Sequence, residues 1–417
     1  MADNVKKVVL AYSGGLDTSV ILPWIKEHYG CRMVAFVADI GQGKDELKGI
    51  VGKAKRSGAD EVVIRNLQET FVTDYLWPML KGGAVYEHKY LLGTSIARPL
   101  IAAEQVRVAH ETGADAVAHG ATGKGNDQVR FELTFMALDP KLTIIAPWKD
   151  PRFELTSREA ALEYAQKRNI PVTASRKSIY SRDRNLWHIS HEGADLENPW
   201  NEPQDNLWVM SVAKSKAPAK PAYVVVDFKE GVPVGLNGKA MEPVKIVETL
   251  NRLGGQHAVG QTHLVENRLV GMKSRGAYET PGGAILVEAF RGLEALTLDR
   301  ETMHYKQQLS LKYAEMIYYG QWFTPLRESL DAFFDRTGRY MTGSVRVKLF
   351  KGTCETAGAK SPYSLYSEKL ASFTMGAEYN PTDAIGFIRL FGLPMRVQSA
   401  VQKQGKRPAG GKSGKKR

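Results

Sequence analysis

Residues 8–19 read VVLAYSGGLDTS, a short apolar, β-branched run broken by a glycine pair and followed by a stretch with helical spacing. A run of that length suits a strand buried on both faces, and Gly14-Gly15 forces a tight turn before the helix expected over roughly Asp17 to His28. The unit recurs. MVAFVAD (33–39), VVI (62–64), DAVAHG (115–120) and LTIIAP (142–147) are strand-like, with helical stretches between them, the longest from about Ser95 to Glu111. Strands alternating with amphipathic helices predict βαβ units and a doubly wound, mostly parallel α/β sheet over residues 1–172. Pro23 lies inside the first helix and predicts a kink, because proline removes one backbone bond.

Beyond residue 172 the pattern changes. RKSIYSRDRNLWHISHEG (176–193) reads as polar and irregular, and 198–222 is rich in proline. AYVVVDF (222–228) and GVPVGLNG (231–238) read as a hairpin, HLVENRLVGM (263–272) and VRVKLF (345–350) as further strands. ILVEAFRGLEALTLD (285–299) and YKQQLSLKYAEMIYYGQWF (305–323) read as long amphipathic helices. An α+β domain over 173–365, a helical arm over 366–398 with a last helix near 382–391, and a basic disordered tail over 399–417 complete the expected organisation.

Charge and cysteine content bound the function classes. The net charge of +12 includes seven positive charges and no acid in residues 401–417, which leaves +5 on the rest. A Gly/Lys tail is most simply a solvated end, so the charge argues only weakly for a nucleic-acid partner, and none is expected. No apolar run reaches the roughly 18 residues of a membrane helix, and neither a membrane partner nor a signal peptide is expected. Cys31 and Cys354 supply no disulfide framework, so a cytoplasmic location is the default.

SGGLDTS (13–19) lies where a strand hands over to a helix, at the carboxyl edge of a parallel sheet where ligand clefts form. Gly14 and Gly15 bring backbone N–H groups close to a phosphate, Ser13, Thr18 and Ser19 add hydroxyls, and the helix N-terminus adds partial positive charge. Asp17 fits beside a Mg²⁺ that bridges the anion, or as a helix cap. The G-x-x-x-x-G-K-[ST] pattern fails at 118–125, where Ala118 replaces the first glycine, and Gly41-Gln42-Gly43 is no dinucleotide fingerprint. GATGKGNDQVRFE (120–132) supplies a second polar, glycine-rich loop at the same sheet edge, or else an ordinary turn capped by Asn126 or Asp127.

AYSGGLDTS, YLLGTSIARP (90–99), HGATGKGNDQVRFE (119–132), NLWHISHEG (185–193) and VENRLVGMKSRGAYETP (265–281) together resemble the argininosuccinate synthase family over about residues 7–395. The basic tail and Arg184, where many members carry an acidic residue, depart from that pattern. The resemblance implies a ligase that uses ATP to join L-citrulline and L-aspartate through a citrullyl-adenylate, releasing AMP and pyrophosphate, in arginine biosynthesis. It implies that Ala11, Tyr12, Ser13, Gly14, Gly15, Leu16, Asp17, Thr18 and Ser19 hold ATP, with Ala38 against the adenine and Gly120 near the nucleotide. Thr122, Asn126 and Asp127 are implied to grip aspartate. Tyr90, Ser95, Asn126, Arg130, Ser181, Ser190, Glu266 and Tyr278 are implied to line the citrulline site. Asp17 and Asp127 are the catalytic candidates, Mg²⁺ accompanies ATP, and a homotetramer built through the C-terminal helix is implied.

Arg130 suits a carboxylate by bidentate pairing, and Glu266 an α-ammonium. Without the family pattern, these charges would read as surface groups and Tyr90 and Tyr278 as packing. For proton removal from the amine, Asp127 or the adenylate phosphate is a candidate. His119 and His188 lack the convergent ligands a zinc site needs, and no resident metal is expected. Two other readings compete. A tRNA-modifying or amidotransferring enzyme would share the phosphate loop but needs catalytic cysteines in contexts that Cys31 and Cys354 do not offer. A nucleotide-binding sensor would have lost polar groups from the loops, and both loops retain them.

Overall fold

The computed structural model describes residues 5–171, 180–372 and 379–405, and the chain divides into two compact units, Met1–Ser364 and Leu365–Arg417. Five strands, β1 (Lys7–Ala11), β2 (Arg32–Asp39), β3 (Glu61–Asn66), β4 (Ala116–Ala118) and β5 (Thr143–Ile145), form a wholly parallel sheet in the order β3-β2-β1-β4-β5. The order reverses direction at β1, which pairs with both β2 and β4, so the crevice of a doubly wound sheet opens beyond Ala11 and Ala118. Val8, Val9 and Leu10 are fully buried, as a strand covered by helices on both faces requires. The helix Leu16–Tyr29 runs through Pro23 without a break and stops at Gly30, whose positive φ of 62° closes the end. The helix Gly93–Thr112 packs along the sheet, and its buried Gln105 donates to the carbonyls of Val9 and Ala118 at 2.7 and 2.8 Å.

The second half of this unit is antiparallel. β6 (Ser181–Arg184) and β7 (Ile189–Glu192) form a hairpin where an irregular segment was expected. β6 has no apolar residue and all four of its residues are exposed; it is a strand because buried β7 supplies the pairing. A five-stranded sheet comprises β8 (Ala222–Lys229), β9 (Val232–Leu236), β10 (Lys239–Ala240), β13 (Gly343–Phe350) and β14 (Thr353–Lys360). The hairpin expected at 222–238 is its β8–β9 pair. The strand expected over 263–272 ends earlier: β11 spans Gln261–Asn267, and a turn closed by Arg268 N–H donating to Met272 at 2.8 Å leads into β12 (Lys273–Glu279). The helices at 285–299 and 305–323 are Pro281–Thr297 and Arg300–Tyr318, the second giving way at the GQWF segment.

One hydrophobic core runs through both halves, joining Phe36 and Phe71 beneath the parallel sheet to Trp187, Phe290 and Val345. Each such fully buried side chain contributes roughly 1.5–3 kcal/mol. The halves also meet through backbone. Leu186 N–H donates to Ile40 O at 2.8 Å, and Gly41, at φ 83°, has no room for a side chain because a Cβ would lie 2.7 Å from that of Leu186. This clamp stands beside the carboxyl end of β2.

In the second unit, helices Asp383–Phe391 and Leu393–Gly405 leave Ile385, Phe387, Ile388, Leu390 and Phe391 exposed. Residues 399–405, expected to be disordered, are helical; the remainder of the tail lies outside the described residues. No helix among the described residues is long and apolar enough to cross a membrane.

Candidate active site

A cavity of about 1110 Å³ opens at the carboxyl ends of β1 and β4, and both glycine-rich loops stand on its wall. They touch: a Cβ on Gly120 would lie 3.0 Å from the Thr18 methyl. In the first loop Ser13 Oγ lies 3.1 Å from Thr18 Oγ1 and accepts from Gly15 N–H at 3.2 Å. Gly14 sits at φ 75° with Ile50 closing over it, a position a larger residue would occupy only with strain. The helix after the loop is capped by Gly15 and not by Asp17. Asp17 instead faces the cavity, where desolvation by the walls raises its pKa against the opposing charge of Arg158.

The second loop is held by Gln128, which donates to the carbonyls of Gly123 and Gly125 at 2.6 and 3.0 Å. Asn126 precedes the helix Asp127–Leu138, yet its side chain caps nothing; Oδ1 accepts from Leu269 N–H at 2.9 Å, tying the loop to the β11–β12 turn. Asp127 is engaged on both oxygens, by Arg130 Nη1 at 2.7 Å and Arg98 Nε at 2.8 Å. Burial acts to raise its pKa, but the two guanidiniums hold it below the usual carboxylate range. Arg98 also pairs with Asp183 at 3.0 Å, so this helix residue links the second loop to β6.

Deeper in, Tyr278 donates to Glu266 Oε1 at 3.0 Å, and Tyr90 packs on Tyr278 with ring centroids 4.5 Å apart. Glu266 is 5% exposed, and burial raises its pKa despite the opposing Tyr278 bond and Arg130 charge. Its Oε2 has no hydrogen-bond partner among the described residues. A deeply buried carboxylate with one oxygen unpaired suits a cationic ligand. Arg130, itself buried, reaches the same region, with Nε bonded to Tyr318 O at 2.9 Å.

Of the residues expected at the site, Ala11 to Thr18, Ala38, Gly120, Thr122, Asn126, Asp127, Tyr90, Arg130, Ser181, Ser190, Glu266 and Tyr278 all lie on this wall. Ser19 and Ser95 do not. Ser19 is turned inward, with Oγ 3.0 Å from the Tyr12 hydroxyl, and Ser95 is fully buried in its helix behind Tyr90. The expectation missed Arg98, Arg268, Glu192, Lys53, Arg158 and Tyr318, which share the wall. Arg98 had a signal: it is the single charge in the apolar stretch TSIARPLIA of a buried helix, one turn after wall residue Thr94. His119 and His188 are buried and pair with Glu132 at 3.1 Å and Thr94 at 2.9 Å.

The arrangement offers a phosphate-type loop, a carboxylate–guanidinium cluster and a buried anionic pocket within one chamber. Residues 7–171 match the arginosuccinate synthase N-terminal HUP domain model, and residues 180–398 match the arginosuccinate synthase C-terminal domain model. The chain is 58% identical to argininosuccinate synthase of Desulfitobacterium hafniense (strain DSM 10664 / DCB-2), over 96% of this chain and 99% of the relative. It is 58% identical to argininosuccinate synthase of Carboxydothermus hydrogenoformans, over 95% and 98%. It is 57% identical to the chloroplastic argininosuccinate synthase of Arabidopsis thaliana, over 96% of this chain and 81% of that one.

Proposed function

The chain belongs to the argininosuccinate synthase family, and from that premise we propose the roles of individual groups in the cavity. The reaction condenses L-citrulline with L-aspartate, using ATP, to give argininosuccinate, AMP and pyrophosphate through a citrullyl-adenylate, in arginine biosynthesis. The observation that supports the assignment of groups is that both loops, Arg130, Glu266 and Tyr278 line one chamber.

A urea carbon is a poor electrophile. Attack of the ureido oxygen on the α-phosphorus of ATP forms the O–P bond and expels pyrophosphate, so that AMP then becomes the leaving group. Such a transfer depends on positioning and charge neutralisation and needs no nucleophile on the protein. Backbone N–H groups and hydroxyls of residues 11–18 cradle the phosphates, Ala38 meets the adenine, and Gly120 lies by the nucleotide. Asp17 is the loop carboxylate suited to a Mg²⁺ carried in with ATP; the ion supplies neutralisation of phosphate charge. Glu266 takes the citrulline α-ammonium, with Tyr90, Tyr278, Ser181, Ser190 and Arg130 around that substrate. Thr122, Asn126 and Asp127 position aspartate. Asp127, clasped by two guanidiniums, is a poor base, and the adenylate phosphate suits proton removal from the attacking amine better.

Around this site, residues 1–172 serve as the ATP-binding part, 173–365 as the part that binds substrates and multimerises, and 366–398 as a helical arm. The exposed apolar residues of the helix Asp383–Phe391 support a homotetramer, and the free thiols Cys31 and Cys354 support a cytoplasmic location. The test is pyrophosphate release by the purified protein with Mg-ATP, citrulline and aspartate, each omitted in turn, and repeated with Asp17→Asn. Release should require ATP and citrulline, argininosuccinate should appear only with aspartate, and the variant should be inactive. No release from folded, ATP-binding protein would defeat the reading and favour the sensor.

A further inference from the structure

The phosphate loop has a cationic neighbour that its motif does not contain. Lys53 belongs to the short helix Ile50–Arg56, whose first residue closes over Gly14, with Ile50 Cδ1 3.2 Å from where a Gly14 Cβ would stand. Its ammonium donates a short hydrogen bond to the Gly14 carbonyl and faces the cavity beside Ser13, Asp17 and Arg158. Lys53 forms no ion pair with an acidic side chain among the described residues, and unlike Lys55 of the same helix, whose ammonium bonds the Asp60 carbonyl, it lines the cavity. Desolvation alone lowers its pKa. A half-buried ammonium without a counter-charge is unfavourable unless an anion completes it.

We propose that Lys53 is a pyrophosphate-holding residue of the adenylation step. Its ammonium, braced on Gly14 O, donates a second hydrogen bond to the β- or γ-phosphate of ATP. As the ureido oxygen bonds to the α-phosphorus and the bond from that phosphorus to the bridging oxygen breaks, the electron pair stays on pyrophosphate, and Lys53 faces the developing charge. It transfers no proton. The inference rests on the reading of the loop as the ATP phosphate site, and it adds the group that neutralises the leaving anion. The loop's own side chains include no cation.

The discriminating variant is Lys53→Gln in the full-length protein, which keeps an N–H donor for Gly14 while removing the charge; Lys53→Arg keeps the charge. Inhibition by pyrophosphate should weaken about tenfold or more in Lys53→Gln and kcat should fall about 10- to 100-fold. Inhibition by AMP and the KM values for citrulline and aspartate should stay within about twofold of the wild type, and Lys53→Arg should recover most of the loss. Unchanged pyrophosphate inhibition would overturn the proposal, as would equal weakening towards AMP and pyrophosphate without rescue by arginine, the pattern of a mere loop brace. Thermal stabilisation by pyrophosphate alone, compared between wild type and the two variants, tests the contact without turnover. It separates failure of this inference from failure of the ligase reading, which an inactive wild type would show.

Discussion

Arg98 and Asp127 are joined by a 2.8 Å hydrogen bond across the floor of the cavity, with Arg130 on the other carboxylate oxygen at 2.7 Å. A carboxylate held by two guanidiniums is a positioning element and a weak base. Asp127→Asn should therefore lower kcat/KM for aspartate about 10- to 100-fold while leaving the acid limb of the pH profile in place. Steady-state kinetics from pH 5.5 to 9 would measure this, and disappearance of the acid limb in the variant would restore Asp127 as the base.

Glu266 carries the opposite expectation. Burial raises its pKa, so as pH falls it is protonated sooner than an ordinary glutamate and loses its attraction for an α-ammonium. Citrulline KM should rise on the acid side in wild type, and Glu266→Gln should raise it at all pH values and flatten its pH dependence. A wild-type citrulline KM that stayed flat down to the pH of unfolding would count against an ionised Glu266 as the ammonium partner.

His188 contributes to the pH dependence of stability. Complete burial, aided by Arg98 and His191, pushes its pKa down to about 3. Below about 6.5 the unfolded chain takes up a proton that the folded chain refuses, so stability drops by about 1.4 kcal/mol per pH unit from this group as pH falls through that window. Above it the contribution is flat. Denaturant titrations between pH 7 and 5 should show His188→Gln with a slope shallower by close to one proton; parallel slopes would refute the assignment.

Truncation before residue 365 removes the unit whose helices expose Phe387, Ile388 and Leu390. On the proposed homotetramer, the shortened chain should sediment as a smaller species than the full-length protein, and a truncated protein that still assembled as a tetramer would exclude the arm as the joint.

The parallel sheet was legible because each strand is a short apolar run with a helix after it, and Val8 to Leu10 need no partner information to read as buried. β6 was not, since Ser-Arg-Asp-Arg carries no strand pattern and depends on β7 across a turn. The loops of the site could be read because their chemistry is local to a few residues. Lys53 and Tyr318 could not, because each becomes a wall residue only when elements far apart in sequence meet. Ser19 shows the converse: membership of a motif leaves the direction of a side chain open, and here its hydroxyl turns to Tyr12.

Ala11 and Tyr318 border the same chamber although they lie near opposite ends of the first unit's sequence. The phosphate loop and every strand of the parallel sheet precede Ser190, Glu266 and Tyr278 in sequence. Tyr90 and Arg130 from the first half share that chamber's wall with Ser190, Glu266 and Tyr278 from the second. The chamber is enclosed only when both halves of the unit are folded together.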